Sequence, residues 1–137
     1  MPSKTLGEIK SKRAYERSEP SDGTRILVDR LWPRGIKKAD AAIDLWLRDI
    51  APSAELRRWF GHRPERWAEF RRRYLAELQE RPDLVEEIRK AAHDGPVTLV
   101  YAARDETHNN AIVLKELASG ALAEGKMATQ IAERIRW

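Results

Sequence analysis

Apolar residues recur along this chain at two spacings, and each change of spacing predicts an element. Val97, Leu99, Val100 and Tyr101 form a β-branched and aliphatic run, the pattern of a buried strand. A polar stretch, Arg104-Asp105-Glu106-Thr107-His108-Asn109-Asn110, follows it. Helical spacing begins at Ala111, with Leu114, Leu117, Ala118 and Ala121 on one face. Arg25–Asp29 (RILVD) reads as a second short buried strand. Ile9–Tyr15 (IKSKRAY) alternates weakly and predicts an edge strand with its lysines facing water.

Between the second strand and Val97 the pattern is helical. Asp40 is the expected N-cap of a first helix carrying Ile43, Trp46, Leu47 and Ile50. Ser53 caps a second, with Leu56, Trp59 and Phe60 inward and Gly61 ending it. Pro64 opens a long third helix with Trp67, Phe70, Tyr74 and Leu78 as its stripe. Pro82 opens a fourth, with Leu84, Val85, Ile88 and Ala92 inward and Gly95 closing it. Ala128, Ile131, Ala132 and Ile135 predict a C-terminal helical extension over 126–137.

These elements predict a single α/β domain over 1–137: a small, mostly parallel sheet covered by about five or six helices. The long helical insert implies a crossover, so the strands at Arg25–Asp29 and Val97–Tyr101 should be parallel. Trp46, Trp59, Phe60, Trp67, Phe70, Leu99 and Ile112 are the expected buried residues.

Composition narrows the chemistry. Hydrophobic residues make up 42% of the 137 positions, enough for one core, and charged residues 35%. There is no cysteine, which excludes disulfides, thiolate catalysis and cysteine-ligated metals. No apolar run approaches the roughly 20 residues of a membrane span. Met1-Pro2-Ser3-Lys4 lacks the apolar segment of a secretory signal, so the expected compartment is cytoplasmic. The net charge of +4 and a pI near 9.6 flag nucleic acid as a partner. However, 22 acidic residues lie among the 26 basic ones, the pattern of an ordinary ionised surface.

Three stretches carry candidate chemistry. Arg30, Arg34, Lys37 and Lys38 surround Trp32 and Pro33 just after a buried strand, where Pro33 and Gly35 forbid a regular element. Guanidinium forks suit carboxylate and phosphate oxygens. The structural reading of this loop is Trp32 in the core and Arg30 paired with Asp29 or a glutamate. The Trp32-Pro33 bond has the cis form open to it. The second stretch offers His108 as acid, base or ligand, with Asn109 and Asn110 as amide partners at a helix start. Its structural reading is a cap by Asp105 or Thr107. One histidine and two asparagines make no metal set. The third runs from Arg57 to Arg73, where arginines interleave with aromatics. Helical spacing assigns Trp59, Phe60, Trp67 and Phe70 to the core and the arginines to water, paired with Glu65, Glu69 and Glu77. His62 and Arg63 sit at a helix corner and are the exceptions.

The segments DRLWPRGIKK (Asp29–Lys38), APSAELRRWFGH (Ala51–His62), WAEFRRRYLAEL (Trp67–Leu78) and TLVYAARDETHNNAIVL (Thr98–Leu114) resemble the YeaO-like branch of domain-of-unknown-function family 488. The resemblance covers roughly residues 6–120. It implies little about function. Some members carry a transcription-regulator label, but no helix-turn-helix signature accompanies it here. In the wider family the strand matching Val97–Tyr101 ends near a cysteine, and a Cys-His-Arg triplet opens the next helix. Here Tyr101 holds the strand end, and His108-Asn109-Asn110 stands where the triplet falls. The resemblance therefore implies a shared pocket without the thiol.

The expected site is a polar, cationic pocket walled by the two loops. Arg30, Trp32, Arg34, Lys37, Lys38, His62, Arg63, Tyr101, Arg104, Asp105, Asn109 and Asn110 are its candidate ligand-binding residues, with His108 the candidate catalytic acid or base. A small anionic or phosphorylated ligand is the leading partner. A nucleic-acid-binding module and a non-catalytic interaction protein are the alternatives. The sequence names no cofactor and no metal.

Overall fold

The computed structural model describes residues 7–120. The predicted helix over 126–137 lies outside them. Four strands, β1 (Ile9–Arg13), β2 (Thr24–Leu27), β3 (Leu45–Trp46) and β4 (Val97–Tyr101), form one sheet in the order β1-β4-β2-β3. Every pairing is parallel: Ile9 opposes Val97, Ile26 opposes Leu99, and Leu27 opposes Trp46. The helices are α1 (Lys38–Ala41), α2 (Ala54–Phe60), α3 (Trp67–Gln79), α4 (Pro82–His93) and α5 (Asn110–Ala118).

The sheet has two unlike faces. Ile9, Ile26, Val28, Val97, Leu99 and Tyr101 point into the main core beneath α2–α5, where they meet Leu56, Phe60, Phe70, Tyr74, Ile88 and Leu114. On the other face Leu27, Val100 and Ala14 pack with Trp32, Ile36 and Ile43 from loops and with Trp46 from β3. The period of two along each strand sorts the residues this way.

The expected helix through Ile43–Ile50 does not form, and the sheet gains a fourth strand from it. Asp40 lies inside α1, whose N-cap is Lys37, and Ala42 stops the helix in the left-handed region (φ 52°). The chain then pairs with the open edge of β2. Asp44 N–H donates to Arg25 O at 2.9 Å, and Leu47 N–H donates to Leu27 O at 2.9 Å. The Asp44 carboxylate also accepts the Arg25 N–H at 2.8 Å. Unsatisfied strand groups on β2 thus override a local helical spacing.

β1 is an edge strand as read, and its lysines are partly exposed and held by partners at the edge. Lys10 donates to Ser21 O, and Lys12 reaches Asp22 and Glu19 at 3.1–3.2 Å. Of the expected buried residues, Phe60, Phe70 and Leu99 are buried. Trp46, Trp59, Trp67 and Ile112 are only partly so. Large indoles are seldom fully covered, and here they lie at the margins of the core. No peptide bond among the described residues is cis, so Trp32–Pro33 is trans.

Candidate functional site

The loops after β2 and β4 meet at the carboxyl edge of the sheet, where open parallel sheets place their sites. Asp29 makes the junction. Its Oδ2 accepts the Ala102 N–H at 2.9 Å, and its Oδ1 accepts from Asn110 Nδ2 at 3.3 Å. Asn110 Nδ2 also donates to Val28 O at 3.0 Å, and Trp46 Nε1 donates to Asp29 O at 2.7 Å. One carboxylate therefore ties both loops to the start of α5. Burial pushes its pKa above the ordinary carboxylate value; the Ala102 N–H, Asn110 and the Arg57 guanidinium pull the other way without overcoming it.

His108 enters beside this junction. Its Nδ1 lies 2.9 Å from Asp105 Oδ2 and 3.1 Å from Thr107 Oγ1. Asp105 also accepts the backbone N–H groups of Thr107 and His108. The Thr107 N–H leads the contacts that lower the Asp105 pKa to about 2, followed by His108. An ionised carboxylate only accepts, so Nδ1 carries the proton. Among the described residues, Nε2 has no hydrogen-bond partner. The imidazole packs edge-on to Trp67, with centroids 5.2 Å apart.

Asn109, not Asp105 or Thr107, caps α5. Its Oδ1 accepts the Ile112 N–H at 3.1 Å, while its Nδ2 donates to Asp105 O at 2.9 Å. Asp105 instead organises the turn before the helix. Tyr101 is buried at the strand end, and that burial raises the pKa of its hydroxyl above the ordinary tyrosine value.

The cationic loop divides. Arg30 is half-buried, with its Nε fully covered and no acceptor among the described residues. Among the described residues Arg30 makes no ion pair, so its expected pairing with Asp29 or a glutamate does not form there. Trp32 is half-buried, donating from Nε1 to Ile36 O at 2.6 Å. Arg34, Lys37 and Lys38 are exposed, and the Arg34 carbonyl accepts from the Tyr15 hydroxyl at 3.0 Å. Arg13 reaches the β4 exit instead, donating to Ala103 O at 2.9 Å and Ala102 O at 3.3 Å.

His62 and Arg63 are exposed at the corner between α2 and α3. His62 has φ 57°, and Arg63 lies 4.0 Å from Glu65. Arg104 is exposed. The arginines of α3 are largely occupied: Arg71 with Glu116, and Arg72 and Arg73 with Glu69. Glu77 bonds Ser53 rather than an arginine. Helical spacing assigns Arg57 to a solvent face and Trp67 to the core stripe, and Asp29 begins the loop expected to wall the pocket; the structure brings all three to this junction. Asp29 had one usable signal, an acid directly after a buried strand.

Fold and site together define a single α/β domain with an all-parallel sheet and a polar cluster at its carboxyl edge. Residues 8–134 match the family model described as the inactive DUF488-N3 subclade, and the chain belongs to that family. It is 48% identical over 108 residues to the uncharacterized protein YeaO of Escherichia coli (strain K12), covering 79% of this chain and 94% of that one. It is 45% identical over 112 residues to the uncharacterized protein Rv3073c of Mycobacterium tuberculosis (strain ATCC 25618 / H37Rv), covering 82% and 94%. No solved structure matches the chain. No helix among the described residues is long and apolar enough to cross a membrane.

Proposed function

We propose that the carboxyl edge of β2 and β4 binds a small anionic ligand, with phosphorylated metabolites as its class. The observation that carries this reading is Arg30, whose buried Nε–H has no acceptor among the described residues. A buried donor left unmade costs about 1–3 kcal/mol. An anion oxygen satisfies it and gains a charge-assisted bond. Arg57 adds positive charge near Asp29. His108, fixed through Nδ1 by Asp105, offers Nε2 as a further donor when the ring is protonated. The family's description as inactive supports binding over turnover.

A thermal-shift titration with inorganic phosphate and pyrophosphate tests the reading. Ligand at about 100 times its Kd stabilises the native state by about 2.7 kcal/mol, which raises Tm by several degrees. Arg30→Met keeps most of the packing and removes the donor. The variant should match or exceed the parent in Tm without ligand and lose the shift. An unresponsive parent protein contradicts the proposal.

A further inference from the structure

Resting on the anion site above, we propose that its ligand carries a planar aromatic ring beside the anionic group, the chemistry of a mononucleotide, and that Trp67 is the surface on which the ring packs. A continuous set of rings runs from the core to this edge. Tyr74, 1% exposed, lies 5.8 Å from Phe70, which stacks on Phe60 at 4.4 Å and on Trp67 at 5.6 Å. The set ends at two imidazoles: His108 at 5.2 Å from Trp67, and His62 at 6.1 Å from Phe60.

Trp67 differs from the other indoles among the described residues. Trp59 takes the guanidinium of Arg66 at 5.0 Å and that of Arg73 at 4.4 Å. Trp46 lies under Arg48 at 4.3 Å and is bonded through Nε1 to Asp29 O. Trp32 is bonded to Ile36 O and meets Trp46 edge-on. Among the described residues no guanidinium stacks on Trp67. It is half-buried, with Phe60 and Phe70 supporting it from the core side.

The spacing suits one small molecule. Trp67 contacts His108, and Asn110 contacts Asp29. At most about 7 Å of chain separates residues 108 and 110. A ligand reaching from Trp67 past His108 to the Asp29–Asn110 junction would set its base on the indole, its pentose beside Asp29 and its phosphate toward the adjoining Arg30. The Asp29 carboxylate, with two protein donors on its oxygens, retains lone pairs for a sugar hydroxyl.

Titrations of the intact protein with inorganic phosphate, ribose 5-phosphate and adenosine monophosphate separate the two claims. The mononucleotide should bind at least about tenfold tighter than ribose 5-phosphate, which corresponds to about 1.4 kcal/mol. Trp67→Leu should erase that advantage while the response to inorganic phosphate stays. His62→Asn, at an exposed position outside the core and suited to the left-handed backbone there, should reduce the advantage severalfold without lowering Tm, and serves if Trp67→Leu does not fold. Equal affinity for the mononucleotide and the sugar phosphate overturns the ring assignment and leaves the anion site standing. No response to any of the three overturns both.

Discussion

The two faces of the sheet are held by different physics. Beneath α2–α5 the strands present Ile26, Val28, Val97 and Leu99, each fully buried among apolar side chains. The opposite face is apolar only at its carboxyl half, around Leu27 and Val100. Its amino half carries a buried polar layer. Arg25 Nη1 donates to Asp22 Oδ2 at 2.6 Å, and Arg25 also reaches the carbonyls of Ala41 and Ala42. Thr98 Oγ1 donates to Asp22 O at 2.8 Å, and Lys12 closes the layer from β1. Burial pushes Asp22 upward, but the Glu19 N–H, Lys12 and Arg25 outweigh it and hold its pKa below the ordinary value. One face is secured by area removed from water, the other by directional bonds that fix where short loops sit. Four helices cover the first face; the second, with only the short α1 beside it, uses Arg25 to anchor α1 and Asp44 to anchor β3. An apolar face resists loss of volume, whereas a polar layer resists loss of one partner.

Substitutions sharpen that contrast. Phe70→Ala, in the helix-covered core, should lower the unfolding free energy by roughly 3–5 kcal/mol in urea titrations. Asp22→Ala strands the buried Arg25 guanidinium and should cost about 3 kcal/mol, since single-partner removal is the expensive change. Replacing both, Asp22→Leu with Arg25→Met, should recover most of that loss by the same measurement. A double variant no better than Asp22→Ala breaks the comparison. Asn109→Ala removes the α5 cap and should cost about 1 kcal/mol.

Acid adds a smaller test. Asp105 and Glu69 both titrate in the folded protein at about 2, below their unfolded values. Their stabilisation is present above pH ~4 and disappears as pH falls toward ~2. Asp29 works in the opposite sense: its raised pKa means that ionisation disfavours the fold, so its contribution worsens as pH rises past the unfolded value. Urea midpoints measured between pH 2 and 6 should therefore rise with pH overall. Asp105→Asn should flatten that rise between pH 2 and 4.

Strands β2 and β4 were legible because continuous β-branched and aliphatic runs bury on both sides of a parallel sheet. Their shared edge followed from the crossover. β3 was not legible. Ile43, Trp46, Leu47 and Ile50 fit a helix, and only the unpaired edge of β2 makes a strand of Leu45–Trp46. The site was half legible. Loop positions after strands are readable, whereas the pairing of Asp29 with Asn110 spans 81 residues of sequence and depends on the fold. Arg57 resembles any solvent-facing helical arginine until α2 is set over Asp29. Trp67 fits the core stripe, and nothing in its spacing tells that the residue stays partly exposed.

The central claim, that the loops clasped by Asp29 form an anion site, is tested most directly by a heteronuclear NMR titration of the intact protein with inorganic phosphate. The Arg30 Nε–H resonance should move together with the backbone amides of residues 102–110, saturably and with one Kd. Movement confined to Arg71–Arg73, or no saturable change at Arg30, would contradict the account.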